Sequence, residues 1–81
     1  MTGDVHAAAT ERVEAEGQRY TDQRKQLVET LARAGQPLTI PDILTDVPHL
    51  KQSSVYRNLA DLEQAGVVRR VATDEGFGRY E

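Results

Sequence analysis

The sequence predicts a mainly α-helical domain with a small β-hairpin, in the order of a winged helix-turn-helix: four helices followed by a two-stranded wing. Three observations carry that prediction. Hydroxyl or acidic caps alternate with Gly or Pro stops between residues 4 and 66, which marks out four helix-sized segments. Val55, Leu59 and Leu62 recur at i, i+4 and i+7, the spacing of one buried helix face. From Val67 the pattern changes to Val67-Val68-Arg69-Arg70-Val71, a β-branched run that reads as a strand.

Taken in order, residues 1–3 are expected to fray, and Asp4 is placed to cap a first helix from Val5 to Glu16 that ends at Gly17. Its apolar content is mostly alanine, so residues 1–18 are expected to form a thinly packed N-terminal arm on a domain spanning 19–81. Thr21 is the next N-cap, opening a helix over 22–34 with Leu27, Val28 and Leu31 on one face and Gly35 as its stop. Thr39 and Asp42 have capping-box spacing, Pro41 suits the first turn, and Ile40, Ile43, Leu44 and Val47 point inward until Pro48 ends the third helix. The fourth helix covers 52–64, with Gly66 as its stop. Residues 73–78 read as a turn, including Gly76 and Gly78, and Arg79-Tyr80-Glu81 as the start of a returning strand. A strand only just begun implies a fragment of a longer protein.

Composition narrows the function. With 81 residues the chain holds one small core and leaves little room for a deep substrate cavity. The absence of cysteine excludes disulfides, thiolate zinc sites and thiol nucleophiles. No apolar run is long enough to span a membrane and no secretory signal opens the chain, so a cytoplasmic location is expected. Enzymatic function is not supported, because no His–carboxylate constellation or phosphate-cradling glycine loop is present. His6 and His49 lack a second ligand at metal spacing and read as ordinary residues, His49 as a solvated loop histidine with a phosphate contact as its alternative. The formal charge of −3 hides an asymmetry: residues 1–18 hold Arg12 against four acids, whereas 19–81 hold nine basic and nine acidic residues. A neutral domain with clustered arginines is compatible with DNA binding.

At about 100° per residue, Leu59 and Leu62 fall beside Val55, while Ser53, Arg57 and Gln64 fall opposite, with Ala60 and Asp61 beside them. Tyr56 lies at the edge of the buried stripe. The outward face therefore opens with hydroxyls, an arginine and a tyrosine, and carries Asp61 and Glu63 toward its other end. A recognition helix enters the major groove by its N-terminal residues, where an arginine can donate two hydrogen bonds to guanine and an aromatic ring can lie on thymine methyls. Ser53 and Ser54 are candidates for phosphate or a base edge.

Four segments together resemble the ferric-uptake-regulator family of bacterial metal-dependent repressors: Thr21/Gln23/Arg24 (T-x-Q-R), Ser54-Val55-Tyr56-Arg57-Asn58-Leu59, Ala65-Gly66-Val67-Val68, and Tyr80-Glu81. The resemblance covers residues 19–81. It implies a sequence-specific DNA-binding domain with Tyr56 and Arg57 on bases, Arg19 in an A·T-rich minor groove, and Thr21, Gln23, Arg24 and Ser54 on the backbone. Arg69, Arg70 and Arg79 are further phosphate candidates, and strand alternation is expected to turn one of Arg69 and Arg70 toward the core. The resemblance also implies a C-terminal dimerisation and metal domain that is absent here. No cofactor is expected in residues 1–81, but the full-length homodimer would bind a divalent transition metal (iron, zinc, manganese or nickel), with Glu81 as a candidate ligand. The fragment alone is expected to be a monomer whose partner is a double-stranded A/T-rich inverted-repeat operator. The competing reading is a winged helix used for protein–protein contact without DNA.

Overall fold

Backbone capping sets where each helix starts and stops. The computed structural model describes residues 2–72 and 78–81, with side chains from Val5 onward. The order is α1 (Thr2–Ala15), α2 (Asp22–Ala34), α3 (Ile40–Asp46), α4 (Gln52–Gln64), β1 (Arg70–Val71) and β2 (Arg79–Tyr80), the architecture of a winged helix.

Thr21 caps α2 by accepting the Arg24 amide at 3.3 Å. At α3 both halves of the capping box form: the Asp42 amide donates to Thr39 Oγ1 and the Thr39 amide donates to Asp42 Oδ2, each at 3.2 Å. The Thr39 backbone bond, followed by its hydroxyl, holds the Asp42 carboxyl below the usual carboxylate range. α1 and α4 end alike. The Gln18 amide donates to Val13 O and the Gly17 amide to Glu14 O, while Val67 donates to Leu62 O and Gly66 to Glu63 O. Both are Schellman closures, and both place a glycine at positive φ, 75° at Gly17 and 79° at Gly66, where a Cβ would be strained.

Two element starts differ from the sequence reading. Helix α1 begins at Thr2, so Asp4 lies within its first turn rather than capping it; no proline blocks the earlier start. Met1 lies outside the described residues. β1 begins at Arg70 rather than Val67, because the amides of Val67 and Val68 both donate to Leu62 O in closing α4 and are lost to the ladder. The expected turn is described only at Gly78, residues 73–77 lying outside the described set. β1 and β2 pair antiparallel, Arg70 with Tyr80 and Val71 with Arg79, and reciprocal bonds between Arg69 and Glu81 of 2.8 and 2.9 Å extend the pairing. On its other side Tyr80 exchanges two backbone bonds with Leu38, of 2.9 and 2.8 Å, so the segment between α2 and α3 also borders the wing.

The core is a single cluster. Leu27, Ile43, Val55, Leu59 and Leu62 have no exposed surface, and Val28, Leu31, Ile40, Val47, Val68 and Tyr80 complete it. Leu44, expected inside, is half-buried, and Leu50 in the α3–α4 loop is buried in addition. α1 belongs to this core through Val13, which is 1% exposed. Arg12 also reaches across to donate to Gly66 O at 3.0 Å. His6, which the sequence marks only as no metal ligand, bridges α1 to α2: its Nδ1 lies 2.7 Å from the Tyr20 hydroxyl and its Nε2 2.9 Å from Glu29. Because a carboxylate can only accept, Nε2 carries the proton of the neutral ring, and Nδ1 accepts from the tyrosine. Burial, and then the Glu29 charge, push the Tyr20 phenol up to about 12.

Two outcomes follow for stability. Val13→Ala lowers the unfolding free energy by about 1–3 kcal/mol in a urea titration, whereas the change at the more exposed Val5→Ala stays within about 0.5 kcal/mol. Equal effects would show that α1 does not pack. Tyr20 has a folded pKa above the ordinary phenol value of 10.0, so its contribution is fully present below pH 10.0 and is lost as pH rises through about 12. Tyr20→Phe removes that alkaline loss, read from unfolding midpoints across this range.

Candidate nucleic-acid interface

With Val55, Leu59 and Leu62 wholly inside, α4 has one rotational setting, and its opposite face is outward. Ser53, Arg57 and Ala60 are exposed, Ser54 is half-buried, and Tyr56 is 54% exposed. Arg57 makes no ion pair among the described residues. The N-cap of α4 is Lys51, which makes no side-chain cap bond; Ser53 is in the first turn and Ser54 follows it. The amides of this turn are thus left without a side-chain acceptor, a helix end suited to an anion.

The segment before and into α2 behaves differently from the sequence reading. Arg19 and Gln23 are exposed, as is Thr21, whose hydroxyl is committed to the cap. Sequence reasoning expects Arg24 to reach phosphate, but the structure turns it inward, where the residue is 8% exposed. Its Nη2 donates to Asp61 Oδ2 at 2.6 Å, Nε to Asn58 Oδ1 at 3.0 Å, and Nη1 to the Arg19 carbonyl at 2.8 Å and Gln18 Oε1 at 3.5 Å. A guanidinium removed from water requires such partners, and α4 supplies them. Asp61, expected on the outward face, is accordingly half-buried against α2. Asn58 uses its other end to donate to Gln23 Oε1 at 3.1 Å. The sequence reading places Asp61 on the outward face and gives Asn58 no role, because nothing local marks either as a partner for Arg24.

The wing lies beside α4. Tyr56, Arg70, Gly78 and Arg79 line an open groove of about 360 Å³ with Thr39 to Asp42 at the start of α3. Both Arg69 and Arg70 are exposed, so neither turns to the core as strand alternation suggests. Val68, still in the closing turn of α4, is buried in the core instead. Arg69 pairs with Glu81 across the ladder through Nε at 3.0 Å and through Nη2, contacts that raise the Arg69 pKa. Arg79 is directed at the α3 start, 3.7 Å from Asp42.

The residues present do not assemble a metal site. Among the described residues no three His, Cys, Asp or Glu side chains converge, and the Glu81 carboxylate is occupied by Arg69. His49 contacts Gln26 at 2.6 Å, and His6 is committed to α2. No described helix is long and apolar enough to cross a membrane.

Four helices and a two-stranded wing, with Tyr56 and Arg57 on the exposed side of the fourth helix, place the chain in the class of winged helix-turn-helix domains. The chain belongs to the Ferric uptake regulator family, whose sequence model matches residues 15–81. No curated protein sequence matches it. The family consists of metal-responsive transcriptional regulators, not enzymes.

Arg24→Ala leaves the half-buried Asp61 carboxylate and Asn58 carbonyl without their shared donor, so it lowers the unfolding free energy by about 1–3 kcal/mol. Arg57→Ala, on the exposed face, changes it by about 0.5 kcal/mol or less. Urea unfolding of the two variants side by side checks the assignment; similar losses would contradict it.

Proposed function

We propose that this chain is the sequence-specific DNA-binding domain of a metal-responsive bacterial repressor, acting in the cytoplasm on an A·T-rich inverted repeat. The observation that carries the reading is the pairing on α4 of exposed Arg57 with half-exposed Tyr56, directly opposite a stripe with no exposure. In this arrangement α4 lies in the major groove, Arg57 donates to a guanine edge and Tyr56 packs on thymine methyls. Ser53 and Ser54, near the uncapped start of α4, meet phosphate, as do Thr21 and Gln23 at the start of α2.

Arg19 enters the adjacent minor groove, whose negative potential is strongest in A·T tracts. Arg70 follows the backbone from the wing, and the groove it shares with Tyr56 supports that placement. An inverted repeat matches two copies related by a two-fold axis. Dimerisation and the metal response belong to residues outside this chain, and the chain by itself is monomeric and binds weakly. Glu81, held by Arg69 here, is a ligand only if other donors reach it, because one carboxylate does not hold a transition metal.

The test is fluorescence anisotropy with an A·T-rich inverted-repeat duplex and a scrambled duplex at two salt concentrations. Arg57→Ala is expected to erase the preference, a loss of about 1–3 kcal/mol of discrimination. Arg70→Ala is expected to weaken both duplexes alike and to reduce the salt slope by roughly 0.9. Wild-type protein that ignores both duplexes, alone and as a tethered pair, would favour a protein-contact role for the fold.

A further inference from the structure

Arg24 ties together the two parts of the interface that read different grooves. The Arg19 carbonyl accepts from Arg24 Nη1 at 2.8 Å and from the Thr21 amide at 3.1 Å, which uses both of its lone pairs. The same guanidinium holds Asn58 and Asp61 one turn apart on α4, and Asn58 directly follows Arg57. The Arg24 amide, meanwhile, donates to the Thr21 cap. The peptide that carries Arg19 is therefore fixed relative to the turn of α4 that carries Arg57 by one planar, nine-tenths-buried group. The next residue, Tyr20, is held independently from the α1 side by His6.

From this geometry we infer that Arg24 is a positioning residue for DNA recognition: it sets the minor-groove arm at Arg19 in register with the major-groove helix, so that A·T content beside a half-site is read together with the half-site. This rests on the DNA-binding reading above. The planar fork matters because three acceptors lie in different directions around it. A lysine keeps the charge but presents one ammonium and cannot span Asn58, Asp61 and the Arg19 carbonyl. Asn58→Ala removes one arm and leaves the Arg24–Asp61 pair intact, which gives a second variant with a smaller burden on folding.

The experiment measures one half-site with an A·T flank and with a G·C flank, for wild type, Arg19→Ala, Arg24→Lys and Asn58→Ala. For each protein the ratio of the two affinities is read, because the folded fraction cancels in it. Wild type is expected to prefer the A·T flank, and Arg19→Ala to lose that preference. Arg24→Lys and Asn58→Ala are expected to lose it as well, by roughly fivefold or more, while still preferring the half-site over scrambled sequence. If both variants weaken both duplexes equally and keep the wild-type flank ratio, Arg24 is structural only and the inference is overturned. Wild type with no flank preference overturns it too, and a half-site preference surviving in that case leaves the DNA-binding reading standing. Loss of all sequence preference in wild type overturns both.

Discussion

Three side chains of α4 with no exposed surface, Val55, Leu59 and Leu62, fix the rotation of that helix about its own axis. Turning it by one residue would expose a leucine and bury Arg57 or Asp61, which the core has no means to compensate. Everything else at the candidate interface follows from this setting. Arg57 and Ser53 face outward, Asn58 and Asp61 face α2, and Tyr56 faces the wing. The same burial makes the outward surface independent of the core, so Arg57 can vary without affecting folding.

Polar chemistry sharpens what apolar packing sets. The α2–α4 contact is apolar at its centre and carries the Arg24 network at its edge, where no donor or acceptor on a buried side chain is left unpaired among the described residues. A second network, with the Thr30 hydroxyl and Arg33 donating to Asp46 at 2.7 and 2.9 Å, joins α2 to α3. These contacts hold the Asp46 carboxyl below its ordinary value. Among the described residues the wing pairs Arg70 and Val71 with Tyr80 and Arg79, and Leu38 borders Tyr80 as a third neighbour.

Much of this was legible because local chemistry dictates it. Thr21, Thr39 and Gly66 act where the sequence puts them, and the α2, α3 and α4 boundaries match to within a residue or two. The reading was weaker wherever a residue has two local roles and only a distant partner chooses between them. Arg24 looks like a surface cation in a helix first turn, and it is buried because Asn58 and Asp61, more than thirty positions later, satisfy it. His6 has no evident role until Tyr20 and Glu29 close on it. Val67 has strand propensity, yet its amide is committed to closing α4.

The sequence by itself determined the helix order, the caps, the apolar face of α4 and hence which of its residues point away from the core. Those properties depend on neighbours within a turn or two, and periodicity carries them directly. Only the tertiary structure decided which arginines are available. Among the described residues Arg57 makes no ion pair, Arg24 is consumed between helices and Arg69 lies against Glu81. The physical reason is that a charged side chain takes its role from whichever opposite charge or carbonyl the fold brings within hydrogen-bonding reach, and such pairings have no sequence period.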